Sequence, residues 1–239
     1  MRTLYGLVQS PWTQRARWAL EHHGVAFTYH EHVPMLGEVF LRRKAGVRKA
    51  TVPLLSDGND AIMGSFEIAK HAERIGRSAP LFPQGKDADV ERWNDVAERM
   101  TRVGRMWLIR NMLESREAQR ESLPAFIPGF MRGALAPSSA MALRFLAKKH
   151  NIGSNVDDEV EHTLRPALED IRKALHGKSY LLDVFTYADM AIAAALQVVR
   201  PHEKADLAPG TRQAWTNDVL AKEFDDLLDW RDTIVRKHR

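Results

Sequence analysis

Apolar positions recur along this chain in two regimes. Up to residue 76 they cluster in short strand-like runs between helical stretches. "RTLYGLV" reads as a strand, with Leu4, Gly6 and Val8 on one side and Thr3, Tyr5 and Leu7 on the other. A helix is expected over about 11–23, with Gly24 placed as its C′ residue. "VAFTYHEHV" is β-rich, and "TVPLLSD", "GND" and "AIMG" read as a hairpin. "SFEIAKHAERIG" puts Ile68, Ala69, Ala72 and Ile75 on one helix face and ends at Gly76. The expected order is strand, helix, strand, hairpin, helix.

After the Pro/Gly-rich stretch "RSAPLFPQG", the spacing becomes helical almost throughout. One long helix is expected over 87–121, broken by "LPAFIPGFMRGALAP" at 123–137. Helices over about 138–149, 156–176, 187–200 and 216–236 follow. Pro166 should kink the second of these four. Thr186 stands three residues before Asp189, ahead of the apolar run "MAIAAAL", which is the arrangement of a reciprocal helix cap. The division expected is residues 1–76, a linker over 77–86, and an all-helical domain over 87–239.

Composition narrows the function classes. The chain has 239 residues, no cysteine and a net charge of +4. Without cysteine, thiolate nucleophiles, disulfides and cysteine-bound zinc are excluded, so any thiol chemistry needs a thiol brought by a small molecule. No apolar run approaches the roughly 20 residues of a membrane span, and "MRTLYGLVQSPW" is a poor signal peptide. These readings predict a soluble, cytoplasmic protein. Basic residues mostly interleave with acidic ones, which argues against nucleic acid; the densest cluster, "LRRKAGVRK", reads as a solvated helix end or an attractor of small anions. The ten histidines show no metal-ligand spacing, and no metal is expected.

Three places carry candidate chemistry. Ser10 followed by Pro11 is the pattern of an N-cap and first helical residue. A hydroxyl there also stands where free N–H groups and the positive helix end favour an anion, so it is placed to donate to a bound thiolate. Val52-Pro53 suits a strand start or a cis turn that would leave the Val52 backbone free to pair with a peptide-like ligand. Ser65 opens a second helix and a second anion site. A thiol with pKa about 8.5 is only about 3% ionised at pH 7. Lowering that value by about 2 takes roughly 2.7 kcal/mol, within reach of one charge-assisted hydrogen bond of about 1.5–3 kcal/mol plus a helix N-terminus.

Five stretches in this order resemble the cytosolic glutathione transferase family, in its bacterial, serine-type form. "SPWTQRARWAL" is similar to S-P-x-x-x-[KR]-V-R-x-A-L, "TVPLL" to [KR]-V-P-x-L, and "GSFEIAKHAERI" to [ED]-S-x-A-I-x-x-Y-L. "PLFP" resembles P-L-Y-P, and "YLLDVFTYADMAI" resembles Y-L-x-G-x-x-[TS]-x-A-D. The resemblance implies a thioredoxin-like α/β domain that holds glutathione, joined to an all-α domain that holds a hydrophobic electrophile. It implies Ser10 as the thiol-activating hydroxyl and Trp12, Thr51, Val52, Pro53, Gly64 and Ser65 at the glutathione site. Candidates for the electrophile pocket are Trp107, Asn111, Phe126 and Phe130, with Met131 beside them. Tyr5 and Thr13 compete with Ser10. The chain departs from the pattern at Gly64, where the family is acidic, at Thr51, where it is basic, and at Asp183, where it has glycine. The first two favour a second reading, a binding or interaction protein of the same fold with little or no catalysis. The expected partners are glutathione as co-substrate, a small electrophile in a detoxification reaction, and a second copy of the chain in a homodimer, with neither nucleic acid nor membrane.

Overall fold

The computed structural model describes residues 1–34, 37–123, 128–153 and 155–239. The N-terminal region builds a four-stranded sheet: β1 (Thr3–Gly6), β2 (Thr28–Glu31), β3 (Leu54–Asp57) and β4 (Asp60–Met63) in the order β2-β1-β3-β4. β1 runs parallel to β2 and antiparallel to β3, with Tyr5 opposite Leu54. β4 returns antiparallel to β3, with Met63 opposite Leu54. Helices α1 (Pro11–His22), α2 (Glu38–Ala45) and α3 (Ser65–Ile75) complete a βαβαββα unit. As a central strand, β1 is buried on both faces. Leu4 packs with Ala16, Leu20, Ile68 and Ala72 of α1 and α3, and Tyr5 packs with Leu41, Ala50 and Leu54.

All later helices follow Pro83: α4 (Asp87–Glu114), α5 (Arg116–Glu121), α6 (Gly129–Lys149), α7 (Val156–Glu159), α8 (Arg165–Ala174), α9 (Tyr187–Ala195), α10 (Pro209–Trp215), α11 (Asp218–Glu223) and α12 (Asp225–His238). By proximity the chain forms two compact units. The first comprises Met1–Glu98, Ile171–Ala195 and Asp229–Arg239; the second comprises Arg99–Asp170 and Leu196–Leu228. In the first unit α9 is buried along its whole length and packs on α1. The indole N–H of Trp18 donates to the His238 carbonyl at 2.9 Å, which ties the end of α12 to α1.

Several helix boundaries differ from the sequence reading, each for a local reason. Helix α2 begins before the basic cluster that the sequence marks as a solvated helix end or an anion attractor, and with Leu41 as its single buried residue it carries no periodic signal. The long helix stops at Glu114, because Ser115 turns extended and its hydroxyl accepts from the Ala118 N–H, starting α5. Helix α6 begins at Gly129 and runs through Pro137, so the expected break ends earlier than "GALAP". Ahead of Pro166, residues Val160–Leu164 widen into a π-turn that joins α7 to α8; the ring that cannot donate is absorbed by this loosening rather than by a stop. Phe224 separates α11 from α12, and α10, with Pro209 as its first residue, was not anticipated. No helix among the described residues is long and apolar enough to cross a membrane.

The cap at Thr186 is built as its sequence implies. Asp189 Oδ2 accepts from the Thr186 N–H at 2.9 Å and from its hydroxyl at 3.1 Å, and the Thr186 hydroxyl oxygen accepts from the Ala188 N–H at 3.2 Å. Asp189 Oδ1 also accepts from the Leu181 N–H at 2.8 Å, so one carboxylate holds both the helix start and the loop before it. In that loop Asp183 has φ +70°, the left-handed conformation that glycine would adopt freely at the position where the family pattern has glycine. Asp183→Gly is expected to relieve this strain and raise stability by about 0.5–1 kcal/mol, read as a higher melting temperature; a lower one would contradict the strain.

Candidate functional site

Sheet topology brings the three candidate segments to one end of the first unit. The C-terminal end of β1 leads through Leu7–Gln9 to Ser10. Because β3 is antiparallel to β1, its N-terminal end, reached from Val52-Pro53, lies beside the end of β1. The last residue of β4 pairs with the first of β3, and Gly64 and Ser65 follow directly. The Gly64 N–H donates to the Pro53 carbonyl at 3.0 Å and closes this turn. Val52-Pro53 is a cis peptide. Helices α1 and α3, which pack on each other, both start at this end of the sheet.

Ser10 occupies the N-cap position of α1 with an extended backbone, and its carbonyl accepts the first helical bond from the Gln14 N–H at 2.9 Å. Its side chain makes no capping hydrogen bond. The position is that of a cap, but the hydroxyl is not used as one. Ser65 is the first residue of α3, one place later than a cap, and is almost fully buried; the cap position is held by Gly64, which has no side chain to offer. Two helix starts therefore open at the same end of the sheet without a side-chain cap, and each directs N–H groups and the positive end of its dipole outward.

The Thr13 hydroxyl is taken up by the backbone, and the Tyr5 ring is packed in the core. Thr13 is completely buried, its oxygen accepts from the Leu7 N–H at 3.2 Å, and a Cβ built on Gly6 would lie 2.4 Å from the Thr13 methyl. Tyr5 is buried between His30 and Phe40, with ring centroids 5.4 and 5.5 Å away. Thr51 is exposed and Val52 half-buried. Trp12 donates its indole N–H to Glu98 Oε2 of α4 at 2.7 Å.

The sequence does not single out three residues of this region, Arg15, Glu98 and Tyr187. Arg15 is fully buried, and its guanidinium pairs with Glu98 Oε1 at 2.9 Å. Glu98 thus joins α1 to α4 through both of its oxygens. Arg15 fills the [KR] position of the helix motif, which was its only available signal; its partner lies 83 residues away, and nothing local marks it. Tyr187, at the start of α9, has its phenol pKa pushed up, chiefly by burial, with the Arg15 charge opposing.

Gly64 has φ +86° and ψ 141°, a conformation open essentially to glycine alone. Open space surrounds the place where a Cβ would stand, so backbone strain and not crowding selects glycine here. Gly64→Ala is expected to cost about 1–3 kcal/mol, measurable by urea unfolding. A loss below about 0.5 kcal/mol would show that the turn relaxes freely.

The pocket candidates Trp107, Asn111 and Phe130 belong to the second unit. The Asn111 amide donates to the Ala214 carbonyl at 2.9 Å, the Arg110 guanidinium stacks 4.7 Å from the centre of the Trp107 ring, and Phe130 is 87% exposed at the start of α6. Phe126 lies outside the described residues. Among the described residues no cluster of three or more histidine or acidic side chains is placed to hold a metal ion.

This architecture, a thioredoxin-like α/β unit followed by helices, is the glutathione transferase fold. Residues 4–78 match the family described as "Glutathione S-transferase, N-terminal domain". Across the whole length the chain is similar to a glutathione S-transferase of Ceriporiopsis subvermispora solved with glutathione (17% identity, TM-score 0.67, covering 100% of this chain and 97% of that one). It is also similar to the beta-etherase LigF of Sphingobium sp. strain SYK-6 (14% identity, TM-score 0.61, covering 98% and 94%). A glutathione S-transferase of Methylobacillus flagellatus with glutathione bound shares 14% identity at a TM-score of 0.52, covering 95% and 98%. No curated protein matches the sequence.

Proposed function

We propose that this protein binds glutathione at the shared start of α1 and α3 and transfers it to a hydrophobic electrophile, with Ser10 stabilising the thiolate. The observation that carries this reading is the Ser10 hydroxyl, held at the N-cap of α1 yet making no cap bond. The match over residues 4–78 supports it. In this reading the Ser10 hydroxyl donates a hydrogen bond to the glutathione sulfur, and the sulfur's proton leaves to solvent. The thiolate then forms a bond to an electrophilic carbon, displacing a leaving group or adding across a double bond. The Val52 backbone pairs with the cysteinyl part of the tripeptide, beside Pro53 and Thr51. Ser65 and the first N–H groups of α3 receive the γ-glutamyl carboxylate, a charge suited to that helix end. Trp12 holds Glu98 and borders the site.

Gly64 and Thr51 favour the second reading, a binding protein with little turnover. At these two positions the chain offers no charge to glutathione's ammonium and carboxylate groups. Titration calorimetry with glutathione tests the common element of both. Binding is expected, and it should weaken when Ser65 is replaced by alanine. Absence of heat at millimolar glutathione would sink both readings, whereas binding without conjugation of a chlorinated nitrobenzene would select the second.

A further inference from the structure

Helix α6 carries a feature unrelated to the thiol site. At about 100° per residue, Phe130, Ala134, Pro137, Met141 and Phe145 fall within about 80° of arc, and all five are exposed. Phe130 is 87% and Met141 58% exposed, and Met131 flanks the row. The opposite face, with Ala136, Ala140 and Leu143, is buried, so the outward row is a second apolar face rather than the core side of an ordinary surface helix.

Charge decides what can cover it. From Gly129 to Lys149 the helix has no acidic residue, and two cations, Arg144 and Lys148, stand on or beside the outward row, while Arg132 turns to the other side and donates to the Arg120 and Leu123 carbonyls at 3.3 Å. The acids of neighbouring α5 face elsewhere. Glu121 accepts from the Gly210 and Thr211 N–H groups at 3.0 and 2.6 Å and from the Thr211 hydroxyl at 2.8 Å, and Glu117 lies against Gly210. A second copy of the same face would set cations against cations. A flat anionic surface into which Phe and Met side chains can dip would satisfy both features.

We propose that the outer face of α6 docks this protein on anionic lipid bilayers, lying in the headgroup plane without crossing. Sedimentation of the full chain with vesicles tests this, using phosphatidylcholine alone and phosphatidylcholine mixed with phosphatidylglycerol. Binding is expected only to the mixture, and added salt should weaken it. Met141→Ser with Phe145→Ser should lower partitioning by about tenfold or more. Arg144→Gln with Lys148→Gln should lower it to a similar degree, since each cation near such a surface contributes about fivefold. Unchanged circular dichroism melting of the second pair keeps the result interpretable if the first pair unfolds. The proposal is overturned if the parent does not bind the mixed vesicles, or if both variants bind as the parent does. It is equally overturned if the parent ignores vesicles and Met141→Ser with Phe145→Ser turns a dimer into a monomer, because the face then meets a second copy.

Discussion

Asp189→Ala should cost about 2–5 kcal/mol of folding stability, more than an ordinary cap. Removing the carboxylate strands two buried N–H groups, those of Leu181 and Thr186, and each unsatisfied buried donor costs about 1–3 kcal/mol. Urea unfolding at neutral pH measures this, and a loss within about 0.5 kcal/mol would mean that the loop and helix start are held by something else. The same carboxyl carries a pH signature. Burial pushes its pKa up to about 6, against the hydrogen bonds that favour its charge. In an unfolded chain an Asp titrates near about 3.9. The folded state therefore holds the proton more tightly. The Asp189 contribution to stability is fully present below about pH 4 and falls by roughly 3 kcal/mol as pH rises through 6. Asn at this position cannot titrate. The stability deficit of Asp189→Asn relative to the parent should thus be largest near pH 4 and shrink by pH 7.5. A deficit that stays constant over this range would contradict a raised pKa.

Ser10→Ala is expected to separate stability from chemistry. A capping serine lost to alanine costs about 1 kcal/mol, but the Ser10 side chain makes no cap bond, so the melting temperature should scarcely change. Turnover under the proposed reading should behave otherwise. If the hydroxyl supplies about 1.4 kcal/mol to the thiolate, its loss raises the bound thiol pKa by about one. Conjugation at pH 6.5 should then fall about tenfold, and the deficit should close near pH 9.5, where the thiol ionises unaided. Thr13→Val and Tyr5→Phe are the comparisons. Thr13 holds the Leu7 N–H, so Thr13→Val should act on stability, whereas Tyr5→Phe keeps the packed ring and should change stability little. A tenfold loss of turnover at pH 6.5 in either, with Ser10→Ala unaffected, would transfer the catalytic role.

What the sequence disclosed follows from how local its signals are. The alternation around Leu4 and Tyr5, the hairpin at 54–63 and the Thr186–Asp189 cap are encoded within a few residues, and the structure has them. Helix α2 offers one buried leucine among charges, too little for a periodic signal. The breaks at Ser115 and Phe224 fall in stretches with no proline or glycine to mark them. Ser65 opens α3 as its sequence implies, but the left-handed Gly64 before it, at φ +86°, is a backbone feature that no spacing marks. The Arg15–Glu98 pair depends on residues far apart in the chain, and only the folded α1–α4 arrangement reveals it. The position of Ser10 was legible in "QSPW", but the lack of a cap bond is a matter of side-chain direction that no spacing carries.

The most direct measurement is the ultraviolet absorbance of the glutathione thiolate, followed through a pH titration of the complex with the parent chain and with Ser10→Ala. The account predicts a midpoint at least one pH unit below that of free glutathione for the parent, moving up by about one in the variant. A parent midpoint equal to that of the free thiol, or one that Ser10→Ala leaves in place, would contradict it.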